Sequence, residues 1–281
     1  MIDLVTVVFQ DELPVLKLQA QSVDLYCQNI GIRSIFVMVN DTQQVADLID
    51  PAWWGSLSHC VRVVPRHVFS LEYWSPSGWV SQQILKLLGS SISHNRFSMV
   101  LDAKTIFVGP VDATKIVNYD DTLQIGYHPI RPTWHKIKNV VDELFDIDLQ
   151  HIAMPGGVPF VFHNNTVREM LVEITRLTNK NAVEWLQYQD TLSEFVVYTG
   201  YILYRDGTLD RVYQGSQRIR CANLCHSEAA DSEKKLNNMH DPDLLTVSIH
   251  RNAWSQLTKE QQQSYVDLLR LRGITSAQDL A

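Results

Sequence analysis

The chain opens with Ile2-Asp3-Leu4-Val5-Thr6-Val7-Val8-Phe9, and this stretch decides the fold. It is short, rich in β-branched residues and followed by the polar Gln10-Asp11-Glu12, a combination that predicts a β-strand. Apolar residues then recur at helical spacing from Leu13 to Asn29, and Gly31 stands where a helix would end. A strand followed at once by an amphipathic helix is the first unit of an alternating α/β protein.

The same alternation continues along the first third of the chain. Strands are predicted at residues 35–39, 61–64 and 97–101, with helices at 43–48 and 78–88 between them. Such β-α-β order favours a mixed α/β fold with a mostly parallel sheet and helices on both faces. Ligands of such sheets bind beyond the carboxyl ends of the strands.

The remaining two thirds show a less regular pattern. We predict strands at residues 123–127, 158–163 and 245–249, and helices at 166–177 and 191–204. The polar segments 179–181 and 227–238 are predicted loops.

Composition excludes some classes of function. The chain has 281 residues, 45% of them hydrophobic, and a formal net charge of -7. An acidic protein lacks the basic face that neutralising many phosphates requires, so no nucleic-acid partner is expected. The longest uncharged apolar run, Phe195 to Tyr204, is shorter than the roughly 20 residues needed to cross a bilayer. With no signal-peptide pattern, a cytoplasmic location is expected.

Asp102 and Lys104 stand at the carboxyl end of the strand in Met99-Val100-Leu101-Asp102-Ala103-Lys104. Side chains two apart in an extended segment point to the same side, so a carboxylate and an ammonium should project together into the ligand crevice. A surface ion pair in a loop is the alternative explanation.

The predicted helix before that strand has two distinct faces. Val80, Ile84, Leu87 and Leu88 form an apolar face, and Trp79, Gln82, Gln83 and Lys86 form the other. The second face suits the lining of a sugar-nucleotide site, or equally a solvated helix surface.

In four passages the chain resembles nucleotide-sugar glycosyltransferases of the GT-A fold, especially bacterial and phage members. They are Leu4-Val5-Thr6-Val7-Val8-Phe9, Gly78-Trp79-Val80-Ser81-Gln82-Gln83-Ile84-Leu85-Lys86-Leu87, Met99-Val100-Leu101-Asp102-Ala103-Lys104 and Leu192-Ser193-Glu194-Phe195-Val196-Val197-Tyr198. The resemblance implies a GT-A-like sheet, a nucleotide-sugar donor and a hydroxyl acceptor such as a glycan.

In that family Asp-x-Asp holds a divalent cation, Mn²⁺ or Mg²⁺, that bridges the donor diphosphate. Here Lys104 replaces the second aspartate, and an ammonium offers no oxygen ligand, so metal dependence is left open. Lys104 could meet a diphosphate oxygen directly. The resemblance also gives His250, with Asp102, as a metal ligand or a diphosphate contact, and Arg251 and Thr6 as donor-binding residues. A structural histidine at the end of a strand is the alternative for His250.

Glu194 is the predicted catalytic base. Sugar transfer to a hydroxyl needs a carboxylate that accepts the proton, and Glu194 shares a helix face with Tyr198, Tyr201 and Arg205. The tyrosines would offer ring surfaces to a sugar. A first-turn glutamate stabilised by the helix dipole is the alternative.

Other prominent residues are predicted to have structural rather than functional roles. Cys221, Cys225 and His226 fit no strong zinc pattern, and His128, His135 and His151 lack metal-ligand spacing. The pairs Trp53-Trp54 and Tyr73-Trp74 are interpreted as packing rather than carbohydrate platforms, and Met154 to Phe160 as a turn entering a strand.

The sequence therefore predicts a glycosyltransferase, acting in glycan or polysaccharide synthesis. Residues 1–115 would form the donor half and residues 116–281 the acceptor half of one domain. Asp102 and Glu194 would be catalytic. The donor or its diphosphate would be bound by Thr6, Gln82, Gln83, Lys86, Asp102, Lys104 and Arg251. A sugar-nucleotide-binding or glycan-binding protein without catalysis, and a metal-dependent hydrolase, are the alternatives.

Overall fold

A computed structural model describes most of the chain. The described residues are 1–71, 73–124, 127–130, 132–149, 154–155, 157–214, 220–225 and 231–280. The strands are β1 (Ile2–Val8), β2 (Ile35–Val39), β3 (Val61–Pro65), β4 (Phe97–Asp102), β5 (Ile106–Phe107), β6 (Tyr127–His128), β7 (Met154–Pro155), β8 (Phe160–His163), β9 (Cys221–Leu224) and β10 (Thr246–Ile249). The helices are α1 (Leu13–Tyr26), α2 (Gln43–Asp47), α3 (Gly78–Ile92), α4 (His135–Phe145), α5 (Asn164–Thr178), α6 (Ala182–Gln187), α7 (Glu194–Asp206), α8 (Ser232–Met239), α9 (Arg251–Trp254) and α10 (Lys259–Leu271).

The main sheet is mostly parallel. Within the described residues its strand order is β3-β2-β1-β4-β8, with parallel pairing throughout except between β4 and the antiparallel β8. Every residue of β1 is buried, as expected for a central strand of a sheet covered on both faces. The predicted fold class, a mixed α/β sheet flanked by helices, is confirmed.

Helix α3 packs against the sheet at very close range. It contacts β1, β2 and β4, and at Gly89 its backbone lies directly against side chains of the sheet. A Cβ atom added at Gly89 would lie 2.5 Å from Cγ1 of Val5 and 3.2 Å from Sδ of Met38. Only glycine allows this separation without a shift of the helix.

A smaller sheet joins distant parts of the sequence. Its order is β5-β10-β9, with β10 antiparallel to β5 and parallel to β9. A second apolar core lies here, to which α8 and α10 contribute Leu236, Met239, Val266 and Leu269. Both sheets contain strands from each side of residue 115, and the division into donor and acceptor halves stays a prediction.

Most predicted elements are confirmed with end shifts of a few residues. The predicted helix 78–88 extends to Ile92 because Gly89 and Ser90 are buried in the packing of α3. The helix predicted from Thr191 begins only at Glu194. The predicted loop at residues 179–181 is confirmed by the left-handed Asn179.

Two segment predictions are corrected. The strand predicted at 123–127 is confirmed only in part: Leu123 forms isolated bridges with Val117 and Tyr213, Tyr127 begins β6, and residues 125 and 126 lie outside the described residues. The predicted loop 227–238 contains α8, because Leu236 and Met239 fall on one helical face and are buried. The first residues of that segment, and His151, His226 and Gly156, lie outside the described residues.

Candidate active site at the carboxyl edge of the sheet

The strand order locates a ligand crevice. From β1 the chain proceeds to β2 and β3 on one side and returns to β4 on the other side of β1. The carboxyl ends of β1 and β4 therefore form a topological switch point, where open α/β sheets bind ligands. Val7 lies opposite Asp102 in the register, and the chain after β1 leads directly to Asp11 and Glu12.

A buried glutamine fixes the turn that carries Asp102 and Lys104. Nε2 of Gln19, on α1, donates to the carbonyl oxygen of Asp102 at 2.7 Å and to that of Thr105 at 2.9 Å. The turn closes with a 2.8 Å bond from the Thr105 amide to the Asp102 carbonyl. Side chains held by a locked backbone are preorganised for a ligand.

Opposite charges alternate through the site. Lys86 Nζ lies 2.8 Å from Oδ1 of Asp102 and 2.9 Å from Oε1 of Glu194. Lys104 Nζ lies 2.7 Å from Oδ2 of Asp102, and Gln82 donates to Oδ1 at 3.2 Å. The predicted Asp102, Lys104, Gln82, Lys86 and Glu194 are thus brought together by β4, α3 and α7.

The charged side chains of the site are buried to different extents. The side chains of Glu194 and Lys86 are 1% and 3% exposed, whereas that of Lys104 is 20% exposed. Burial alone would raise the pKa of Asp102, but Lys104 and Lys86 together hold it far below its usual range. Burial also opposes the charge on Lys86, yet Asp102 and Glu194 raise its pKa well above the usual value. Asp102 is therefore a permanent anion at neutral pH.

The pKa of Glu194 is shifted in the opposite direction from that of Asp102. Burial raises its pKa above the ordinary 4.5, and the charge of Lys86 offsets this only in part. The folded chain therefore holds the Glu194 proton to a higher pH than the unfolded chain does. As pH rises from 4.5 through the folded pKa, ionisation of Glu194 removes stability from the folded state.

Replacing Glu194 by glutamine should remove this pH dependence. From pH 5 to pH 8 the free energy of unfolding of Glu194→Gln is expected to increase relative to that of the wild type, since a tenfold change in proton affinity corresponds to about 1.4 kcal/mol. Urea unfolding at the two pH values measures the difference. Glu143→Gln, exposed on α4, is the matched control and should follow the wild type at both pH values. A constant offset for Glu194→Gln would contradict the assignment.

A cavity of about 160 Å³ adjoins these charges. It is lined by Asp11, Glu12, Val15, Lys104, Ile106, Ile249, Arg251, Trp254 and Tyr265. Its walls are mainly apolar, and the cations come from the turn after β4 and from the start of α9. Arg251 forms an exposed 3.4 Å ion pair with Asp11, and burial raises the pKa of Glu12 against the lowering effect of Lys104. Two cations and two carboxylates therefore meet around one opening.

The residues present do not fit a divalent metal. Both carboxylate oxygens of Asp102 already face cations, and His250 uses Nδ1 to accept the Asn252 amide at 3.2 Å and cap α9. Across the described ranges no three His, Cys, Asp or Glu side chains are grouped to hold a metal ion. Binding of Mn²⁺ or Mg²⁺ stays a prediction from the resemblance alone.

The other predicted residues lie around the site in different ways. Gln83 is buried and accepts from Lys86 at 3.4 Å, and Gln82 and Lys86 are buried with it; on this helix face Trp79 alone among the predicted residues is exposed. Thr6 is buried in β1, and within the described part of the chain its hydroxyl lacks a hydrogen-bond partner. The prediction that Tyr198 and Tyr201 offer open ring faces was wrong, because both rings are buried in the core.

Sequence reasoning missed Gln19, Glu12, Trp254 and Tyr265. Glu12 could have been found by applying the carboxyl-end rule to β1 as well as to β4. The apolar spacing of Tyr265, Val266, Leu268 and Leu269 carried a helix signal for α10. Nothing in the sequence pattern distinguishes Gln19 from any other polar residue of an amphipathic helix.

Fold and site together define a mixed α/β protein with a charged ligand crevice at the switch point of its sheet. Residues 4–243 match the model of DUF6492, described as a family of unknown function, and the chain belongs to that family. A search of curated proteins finds no match. Among the described residues, no helix is both long and apolar enough to cross a membrane.

Solved structures of a galactosyltransferase are similar to this chain. One is LgtC in complex with donor and acceptor sugar analogues, at 12% sequence identity over 96% of this chain and 95% of that chain, with a TM-score of 0.49. Another is an active-site mutant of LgtC in which glutamate replaces glutamine, at 12% identity over 95% of each chain, with a TM-score of 0.49.

Proposed function

We propose that this protein is a glycosyltransferase that transfers a sugar from a nucleotide-sugar donor to a hydroxyl acceptor. One observation carries the proposal: Lys104 and Arg251, which are far apart in the sequence, line one cavity beside the ionised Asp102 at the switch point. Two cations there suit a diphosphate, and the apolar walls suit a nucleoside. The sequence resemblance to GT-A glycosyltransferases supports the same function.

The site residues have complementary roles in this proposal. Lys104 and Arg251 bind the diphosphate and stabilise the negative charge that grows on it as the glycosidic bond breaks. Asp102 faces the transferred sugar as a fixed anion, and Gln82 and Lys86 hold its carboxylate in place. Glu194 is buried behind Lys86, and in the proposal it balances the Lys86 charge rather than contacting the acceptor.

Turnover tests the proposal directly. The purified protein is incubated with UDP-glucose, UDP-galactose, UDP-N-acetylglucosamine and GDP-mannose, each with and without Mn²⁺, and released nucleoside diphosphate is measured. We expect consumption of one donor, accelerated by an oligosaccharide acceptor. Consumption that no acceptor accelerates would instead identify a hydrolase, and binding without consumption would identify a binding protein.

Removing either cation should weaken diphosphate binding. Lys104→Ala and Arg251→Ala are each expected to raise the Kd for UDP about tenfold, because each removes a charge-assisted hydrogen bond. Isothermal titration calorimetry at low salt measures the change. Lys115→Ala and Arg270→Ala, both exposed and away from the cavity lining, are the matched controls. Equal affinities in all four variants would show that the diphosphate binds elsewhere.

A further inference from the structure

Three aromatic side chains are exposed where the start of α3 meets the segment after α6. Tyr73 is 37% exposed, Trp79 55% and Tyr188 67%. Tyr73 precedes α3, Trp79 lies in its first turn, and Tyr188 caps the end of α6. We name these three residues the aromatic seam. Aromatic rings that are exposed as a group, rather than singly, are typical of a ligand-binding surface.

The rings of the seam are held in position. Tyr73 and Tyr188 stack with centroids 5.0 Å apart and ring planes only 2° from parallel. Gln187 is buried beneath them and bridges the backbone around Tyr73, donating to its carbonyl at 2.8 Å and accepting the Ser75 amide at 2.6 Å. The indole Nε1 of Trp79 donates to the Leu192 carbonyl at 2.7 Å. A ligand that binds these rings therefore loses little free energy in ordering them.

Trp79 links the seam to the charged site. It is on the same helix as Gln82 and Lys86, three and seven residues away. At about 1.5 Å of rise per residue, Trp79 lies on the order of 5–10 Å along the helix from the groups that hold Asp102. The Leu192 carbonyl that fixes Trp79 belongs to the loop that leads into Glu194. This distance is similar to the length of one or two sugar rings.

We infer that the aromatic seam binds the pyranose rings of an oligosaccharide acceptor, an inference that rests on the proposed function. A pyranose presents a flat C–H face that packs on an aromatic ring, with hydroxyls around its edge. Two residues along the chain from Tyr188, the exposed Asp190 offers a carboxylate as a hydrogen-bond acceptor for such hydroxyls. The buried Tyr198 and Tyr201 cannot perform this role. The acceptor is thus a carbohydrate rather than a protein side chain or a lipid.

Binding and transfer together test the inference. Cellotriose, maltotriose, lactose and chitotriose are the probes, with binding followed by saturation-transfer NMR and transfer by product analysis. Tyr188→Ala and Trp79→Ala are expected to weaken binding of one probe about tenfold each. Trp79→Phe, which keeps a ring, should retain part of the affinity. Tyr119→Ala, a tyrosine exposed elsewhere, is the matched control and should bind as the wild type does.

Failure of the inference and failure of the proposed function give different results. If the wild type consumes a donor but binds none of the probes, or if the seam variants transfer to oligosaccharides as fast as the wild type, the inference is overturned. If a probe binds through the seam but no donor is consumed, the proposed function fails and the carbohydrate site stands. Seam variants that lose transfer but keep donor hydrolysis in the absence of acceptor support both.

Discussion

Replacing Lys86 by methionine is expected to lower the free energy of unfolding by about 3–5 kcal/mol, because it leaves buried carboxylates without a neutralising cation. Among the described residues, Glu194 then has no cation within ion-pair distance, and Asp102 keeps Lys104. The Lys86–Asp102 contribution is present above the ordinary Asp pKa of 3.8 and below the ordinary Lys pKa of 10.5, so pH 7 is a suitable condition. Urea unfolding followed by circular dichroism measures the loss.

Two further variants show whether the loss of stability comes from the unpaired buried carboxylate. Lys104→Met removes a cation from the same Asp102 but from a more exposed position, and should cost no more than about 1 kcal/mol. Combining Lys86→Met with Glu194→Gln should recover part of the stability, since no unpaired carboxylate then remains at Glu194. A Lys86→Met protein as stable as the wild type, or a double variant weaker than the single one, would refute this explanation.

Replacing Asp102 by asparagine is expected to lower donor turnover by about 10²–10³-fold, the effect typical of losing a preorganised charge at a reacting centre. The amide keeps the shape of the side chain but not its charge. Because the diphosphate contacts proposed for Lys104 and Arg251 do not involve the Asp102 charge, the Kd for UDP should change far less than turnover does. Initial rates of nucleoside diphosphate release, with calorimetry for UDP, separate the two effects.

The matched control is Asp243→Asn, the same chemical change at an exposed ion pair with Arg220 in another region. It should leave turnover unchanged. Thermal melting must show Asp102→Asn folded at the assay temperature. If folded Asp102→Asn turns over the donor at the wild-type rate, Asp102 is not at the reacting centre.

The sequence predicted the main sheet well because its buried strands have strong local signals. β1 and β2 are short β-branched runs, and α1 and α3 have clear apolar faces. The smaller sheet could not be predicted from such patterns, since β5 has two residues and pairs with β10 far along the chain. Its existence depends on tertiary packing rather than on local preference.

The sequence identified some residues of the candidate site but not the contacts between them. The polar residues of α3 and the end of β4 were enough to identify Gln82, Lys86, Asp102 and Lys104 as candidates. Burial could not be predicted, because the same Gln-Gln-Lys pattern serves a solvated helix surface equally well. The bridge from Lys86 to Glu194 required α7 to pack on α3, a long-range contact that no local spacing encodes.

The close approach of α3 to the sheet at Gly89 determines how deep the charged groups of the site lie. Lys86 lies almost one turn before Gly89, so the depth of its ammonium follows from how far the helix backbone sinks towards Val5 and Met38. The ion pairs then form at a spacing that the packing has already set. A protein engineer could therefore resize the crevice through the residues beneath α3, leaving every charged group chemically untouched.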